Sequence, residues 1–131
     1  AVSAPSQGTA PFGLTMGQDG VAALWDLAGD ANRIRIRRSW QAHESFCEYH
    51  CGVALSPDGW RALTYDITGI AKVWDLRQNK LLHTTDAMGE MGKRSAVFLP
   101  NGTHALLAPF RHRAIVWNLQ TGETQEQCSF Y

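Results

Sequence analysis

The chain has 131 residues, of which 44% are hydrophobic and 18% are charged, a composition typical of a globular domain and not of a disordered segment. Twelve Lys and Arg residues balance twelve Asp and Glu residues, so no overall basic charge attracts a nucleic acid. No apolar run reaches the ~18 residues of a membrane helix, and three cysteines do not make a disulfide framework. The composition predicts an intracellular protein, cytoplasmic or nuclear, with neither a membrane nor a nucleic acid as its partner.

Short apolar runs separated by Gly, Pro, Asp and Asn predict β-strands along the whole chain. In the first third the predicted strands cover residues 1–4, 12–16, 21–27 and 34–40. In the middle third they cover residues 53–56, 60–65, 70–76 and 80–85. In the last third they cover residues 95–99, 103–107, 113–118 and 123–130. No window of about 11 residues carries the 3.6-residue apolar period of a helix, so the predicted fold class is all-β.

Three segments of the chain end alike, which indicates an internal repeat. Their tryptophans are Trp25, Trp74 and Trp117, which lie 49 and 43 residues apart. The copies share short motifs at matching places: WD at 25–26 and 74–75, WN at 117–118, SPDG at 56–59, PNG at 100–102 and AH at 42–43. Together these motifs resemble the WD-repeat β-propeller family, and the resemblance covers nearly the whole chain.

The resemblance implies about three four-stranded antiparallel blades, at residues 1–40, 52–85 and 94–131. Propellers close with 4–8 blades, so we expect residues 1–131 to form part of a propeller. The rest of a longer propeller or a second copy of the chain would complete the ring. The resemblance also implies a non-catalytic scaffold that binds protein partners and needs no cofactor or metal.

Members of this family often link a loop His, a strand Ser or Thr, a turn Asp and the strand Trp by buried hydrogen bonds. In the second copy, His43, Thr64 and Trp74 match three of these positions. The Asp position falls at Thr68, and Asp66 lies two residues too early. A Ser/Thr–His–Asp set is also the composition of a catalytic triad. No G-x-S-x-G nucleophile turn is present, so we expect a structural network.

The other two copies match the family's set less well. The first copy offers Thr15, Asp19 and Trp25. The third copy has Asp86, Leu107 and Arg111 at the His, hydroxyl and Asp positions. The set is therefore expected to be incomplete in every copy. The residues assigned a structural role are Thr15, Trp25, Thr64, Trp74, Asp75 and Trp117.

The expected partner-binding surface consists of loops at one end of the propeller, because loops on a rigid scaffold often carry function. Aromatic side chains serve as anchors, and arginines pair with carboxylates, as at other protein interfaces. The predicted contact residues are Asp19, His43, Glu44, Phe46, Tyr49, Met88, Met91, Phe110, Arg111 and Arg113.

Two segments suggest alternative functions. His43, Cys47, His50 and Cys51 lie within nine residues, and imidazole and thiolate groups bind zinc. The usual paired ligand spacings are absent, so an inserted loop is favoured over a metal-binding or redox-active protein.

The second segment runs from Arg33 to Arg38, where Arg and Ile alternate. We expect Arg33, Arg35 and Arg37 on one side of a strand and the two isoleucines on the other. The pattern predicts a charged, solvent-facing edge strand. The alternative is an RNA-binding surface.

Overall fold

The computed structural model describes residues 2–3, 12–27, 34–44, 51–88, 91–109 and 113–129. These residues form strands and turns, which confirms the all-β fold class, and none of them belongs to a helix that could cross a membrane. The strands are β1 (Val2–Ser3), β2 (Phe12–Met16), β3 (Val21–Asp26), β4 (Arg35–Gln41), β5 (Gly52–Leu55), β6 (Arg61–Tyr65), β7 (Ala71–Asp75), β8 (Lys80–Thr84), β9 (Met91–Phe98), β10 (His104–Pro109), β11 (Arg113–Asn118) and β12 (Thr124–Ser129).

The strands pair in chain order into three four-stranded antiparallel sheets. Sheet 1 contains β1 to β4, sheet 2 contains β5 to β8, and sheet 3 contains β9 to β12. Glycines with positive φ occupy the tight turns inside the sheets, for example Gly59 between β5 and β6 and Gly69 between β6 and β7, where a Cβ would be strained. Each sheet is therefore an up-and-down meander of local hairpins.

The three sheets stack face to face, with sheet 2 in the middle. Side chains alternate along a strand, so neighbouring residues of β6 face different sheets. Ala62 faces sheet 1, where it packs in one apolar cluster with Leu14 and Leu24. Leu63 faces sheet 3, where it packs in a second cluster with Leu107, Trp117 and other buried residues. The core is thus two apolar layers, one on each side of sheet 2.

Aromatic and cationic side chains line one margin of the layer between sheets 1 and 2. The rings of Phe12 and Trp60 meet edge to face, with centroids 5.5 Å apart. The Arg37 guanidinium lies 4.9 Å from the Phe12 centroid, and the Arg77 guanidinium lies 4.6 Å from the Trp60 centroid. Each cation is within the ~6 Å range of a cation–π contact with a ring of its own sheet, and the contact between the two rings joins sheet 1 to sheet 2.

Candidate functional site

A buried chain of hydrogen bonds joins sheets 1 and 2 beneath the loops of one end. His43 follows β4, Thr64 lies in β6, Asp66 follows β6, and Trp74 lies in β7. His43 Nδ1 is 2.9 Å from Asp66 Oδ2, and His43 Nε2 is 2.8 Å from Thr64 Oγ1. The Trp74 indole Nε1 donates to the same Thr64 Oγ1 over 3.0 Å. Four side chains from separate parts of the sequence thus form one continuous network.

The buried groups of this network can all be paired by one arrangement of donors and acceptors. The Thr64 oxygen accepts from Trp74, and its hydroxyl proton finds an acceptor at His43 Nε2. His43 then carries its proton on Nδ1 and donates to Asp66. In this arrangement both ring nitrogens of His43 have partners, which matters because His43 is only 1% exposed.

Asp66 fills the acidic position of the network, which corrects the expectation that this position falls at Thr68. The Thr68 hydroxyl and backbone N–H both donate to Asp66 Oδ1, the latter over 2.9 Å. Burial opposes ionisation of the Asp66 carboxyl, but the hydrogen bonds from His43 and Thr68 outweigh it and lower its pKa from 3.8 to about 2. The set is therefore complete in the second copy.

A sequence signal for Asp66 was present. Residues two apart on a strand face the same side, so Thr64 and Asp66 point toward the same neighbour. The family's spacing places the acidic residue four positions after the hydroxyl residue, at Thr68, and therefore does not identify Asp66.

The connection from sheet 1 to sheet 2 is held by backbone bonds that bring His43 into place. The Gly20 carbonyl accepts from the backbone N–H groups of Ala42, at 2.9 Å, and His43, at 3.2 Å. Gly20 has φ of +78°, and a Cβ there would lie 1.9 Å from the His43 carbonyl oxygen. The Gln41 amide donates to the carbonyls of Asp19 and His43 over 2.7 Å each. The β2–β3 turn therefore holds in place the connecting segment, the stretch that begins at Ala42 and leads from sheet 1 to sheet 2.

The other copies contain parts of the same arrangement. In sheet 1 the Trp25 indole donates to Thr15 Oγ1 over 2.9 Å, as Trp74 does to Thr64. Asp19 Oδ1 accepts from the Val21 backbone N–H over 3.1 Å. In sheet 3 Leu107 has no hydroxyl, and the Trp117 indole donates instead to the Gly122 carbonyl over 3.1 Å. The tryptophan keeps a partner in all three sheets, but within the described ranges the four-residue network is found in sheet 2 alone.

The polar residue after each of the last two tryptophans stabilises a turn. Asp75 Oδ1 accepts from the backbone N–H groups of Arg77 and Gln78, over 2.8 and 3.1 Å. Asn118 Oδ1 accepts in the same way from the residues two and three positions later, over 2.9 and 3.2 Å. A short polar side chain that folds back onto the backbone is a common device in turns, which explains why Asn replaces Asp here.

The predicted contact residues differ in their positions. Asp19 and Glu44 are exposed, and Met88 is partly buried, at the end where the β2–β3 and β6–β7 turns lie. His43 is at the same end but inside the network, so it positions the connecting segment beneath the surface. Met91 begins β9 and Arg113 begins β11. The remaining four predicted contacts lie outside the described residues; they are Phe46, Tyr49, Phe110 and Arg111.

The network has the composition of a hydrolytic triad but is closed to a substrate. Thr64 is completely buried, and its oxygen already accepts from Trp74, so neither a carbonyl group nor water reaches it. A triad nucleophile needs an accessible oxygen whose proton the base removes. The arrangement joins strands and carries no reacting group.

The alternative of a metal site in segment 43–51 involves a histidine that is already bonded. Both ring nitrogens of His43 have protein partners, and a metal ligand needs one nitrogen available. Within the part of the chain that the structure describes, no three His, Cys, Asp or Glu side chains come together as a metal site would require. Cys47 and His50 lie outside that part.

The described residues of β4 alternate as expected up to Arg37, since Arg35 pairs with Asp26 and Arg37 lies over Phe12, whereas Ile36 pairs with Trp25. A register shift between the partners of Leu24 and Trp25 leaves Arg37 as an extra residue, which is how a β-bulge forms. Arg37 turns onto Phe12, and Arg38 donates to the Leu76 carbonyl in sheet 2. Arg35 is exposed. Of the arginines proposed to form the RNA surface, Arg38 thus contributes to a contact between sheets and Arg37 to a contact within sheet 1. Arg33 lies outside the described residues.

Comparison of the chain with models of protein families finds no matching family, and comparison with curated proteins finds no similar sequence.

Proposed function

We propose that the chain is a non-catalytic scaffold for protein–protein interactions, built as three blades of a WD-repeat β-propeller. The stacked up-and-down sheets support this proposal, because propeller blades are four-stranded meanders that cover each other's faces. The first strands β1, β5 and β9 lie side by side, which is the order expected around a common axis. The buried set of His43, Thr64, Asp66 and Trp74 matches the family's network.

The main observation in support of a scaffold function is that a closed, buried network lies directly beneath exposed loops. His43 and Asp66 hold the connecting segment and the β6–β7 turn together, and Gly20 adds the β2–β3 turn. These segments carry exposed Asp19 and Glu44. Polar groups fixed on a rigid base lose little conformational entropy when they bind, which supports recognition of a partner.

The proposed partner surface extends from these fixed residues over the neighbouring loops. Asp19 and Glu44 would pair with basic groups of a partner, and the flexible Met88 side chain would fill an apolar contact. The proposed contacts from the flanking segments are Phe46, Tyr49, Met91, Phe110, Arg111 and Arg113, with the aromatic residues as anchors.

A site-specific crosslinking experiment tests the proposal. A photo-crosslinking residue at Glu44 is expected to give discrete covalent complexes with a partner protein in cell extract. The same residue at Gln78, in the β7–β8 turn of the opposite end, serves as the matched control and should give none. The double substitution Asp19→Arg and Glu44→Arg should abolish the complexes. Equal labelling from both ends, or complexes that survive the charge reversal, would contradict this function.

A further inference from the structure

The sheets stack by a rule that distinguishes their two faces. We call the face of a sheet that carries its repeat tryptophan the leading face and the opposite one the trailing face. In sheet 2 the leading face carries Ala62 and Trp74 and packs on sheet 1. In sheet 3 the leading face carries Ala105 and Trp117 and packs on sheet 2. Both internal contacts therefore join a trailing face to a leading face. The leading face of sheet 1 and the trailing face of sheet 3 are the two faces that no described sheet covers.

Matched leucines show that the leading face of sheet 1 is like the other two but is not covered by a described sheet. Leu27, Leu76 and Leu119 each lie two residues after the repeat tryptophan. Leu76 and Leu119 are 3% and 2% exposed, whereas Leu27 is 39% exposed. The difference comes from the neighbouring sheet and not from the residue type.

The trailing face of sheet 3 shows the same difference. Ala54 in β5 and Val97 in β9 occupy matching positions, each one residue before the last residue of its strand. Ala54 is 8% exposed because sheet 3 covers it, but Val97 is 53% exposed. Leu106, opposite Val97, is also only partly buried, whereas its counterparts Leu14 and Leu63 are fully buried.

Neither of these two faces carries a charged side chain among its described paired residues. On sheet 1 the pairs are Gly13 with Trp25 and Thr15 with Ala23. On sheet 3 they are Leu106 with Val116, Val97 with Leu106, His104 with Asn118, and Val116 with Gln125, so this face also carries three polar side chains without a formal charge. Covering such faces removes apolar area from water without the cost of desolvating an ion.

Thr15 adds a polar feature to the leading face of sheet 1. Its oxygen accepts from Trp25, as Thr64 accepts from Trp74. The Thr64 proton goes to His43, which enters from the preceding sheet. No described residue accepts the corresponding proton of Thr15. A sheet that packs in front of sheet 1 would bring an acceptor to this position.

We propose that the occupant of both faces is a second copy of this chain. The trailing face of sheet 3 in one copy packs on the leading face of sheet 1 in the other, by the same trailing-to-leading contact that joins the sheets within one copy. Two copies related by a two-fold axis make this contact twice and close into a ring of six sheets. Two-fold symmetry is the commonest symmetry of protein oligomers. This inference rests on the equivalence of the faces and not on the proposed partner surface.

The area of the faces favours the closed pair over a single contact. A face of four strands ~4.8 Å apart, each with about five residues at ~3.4 Å, covers about 320 Å². The closed pair covers four such faces, or about 1,300 Å², which lies in the ~1,200–2,000 Å² range of stable interfaces. One contact alone covers about half of that area and falls below the range.

Sedimentation equilibrium of the purified chain over the micromolar concentration range tests the proposal. We expect the mass of two chains, with no larger species. The substitutions Val97→Glu and Leu27→Glu, each made alone on a different face, are expected to halve that mass and leave the circular dichroism spectrum unchanged. Leu81→Glu is the matched control, because Leu81 is 42% exposed but lies in β8 of the middle sheet. It should keep the mass of two chains.

Three outcomes would overturn the second copy as occupant. A wild-type chain that sediments as a monomer at every concentration leaves these faces without a second copy. A mass that grows with concentration indicates an open stack, in which the contact forms but the ring does not. A pair that survives both Val97→Glu and Leu27→Glu uses another surface. None of these outcomes bears on crosslinking from Glu44, which tests the scaffold function separately.

Discussion

The completely buried Thr64 hydroxyl takes part in two hydrogen bonds at once. It accepts from Trp74 and donates to His43, so an apolar side chain there leaves two buried polar atoms without partners. Each such atom costs about 1–3 kcal/mol. Thr15 makes the same contact with Trp25 on a face that no described sheet covers.

We expect Thr64→Val to lower the free energy of unfolding by about 2–4 kcal/mol, because the Trp74 and His43 nitrogens lose their partner. Thr15→Val, the matched control, should cost under about 1 kcal/mol in the unpaired Val97→Glu chain, where water reaches partly exposed Trp25. Urea unfolding measures both. Equal losses at the two positions would show that the network contributes nothing beyond one indole bond.

Asp66 predicts a dependence of stability on pH. Folding lowers the pKa of this carboxyl from 3.8 to about 2, so its contribution is complete above about pH 4 and is lost as the pH falls toward 2. The shift corresponds to about 2 kcal/mol. Asp66→Asn should therefore be less stable than wild type by about that amount at neutral pH, and the difference should shrink below pH 4. The control Asp86→Asn changes an exposed side chain. A difference that is constant down to pH 2 would contradict the assignment.

At the scale of the secondary-structure elements, the turns position the strands and the connection. Gly20 and Gly102 both have positive φ, but only at Gly20 would an added Cβ meet another segment. A Cβ on Gly20 would lie 1.9 Å from the His43 carbonyl oxygen, whereas a Cβ on Gly102 meets nothing within 4 Å. Comparing an alanine substitution at Gly102 with one at Gly20 thus separates the cost of backbone strain from the cost of a steric clash.

Gly102→Ala is expected to cost about 1 kcal/mol from backbone strain alone. Gly20→Ala adds a steric clash that pushes the connecting segment away, so it should cost about 3 kcal/mol or more. Thermal unfolding of both variants measures the difference. Similar losses would mean that the β2–β3 turn does not hold His43 in place.

Much of the element pattern was predictable, because turn residues limit the strands on both sides. The predicted strands 12–16 and 113–118 match β2 and β11 to the residue. The strand predicted from 95 begins at Met91 instead, because pairing of Met91 with Pro109 extends β9 through residues without an apolar pattern. The position of Arg38 depends on the docking of sheet 2 on sheet 1, which local sequence does not encode. The resemblance predicted three members of the network, and strand alternation identifies the fourth, Asp66.

At the scale of the whole molecule, sheet 2 is the only described sheet with apolar contacts on both faces within one chain. In the unpaired Val97→Glu chain we expect the amide hydrogens of β6 and β7 to exchange most slowly, because opening them breaks both layers. Those of β2, β3, β10 and β11 should exchange faster. In the wild-type pair this gradient should flatten. Slowest exchange in sheet 1 or 3 of the unpaired chain would contradict the stacking order.

The difference between the leading and trailing faces of each sheet has a consequence for how such a protein changes in evolution. Each sheet has one face of each kind, so a stack of any number of sheets ends with one leading and one trailing face. If one repeat is duplicated or deleted, every contact that remains still joins a trailing face to a leading face. Repeat number can then change while the same two kinds of face meet at every contact, and in a closed ring only the angle between neighbouring sheets has to adjust.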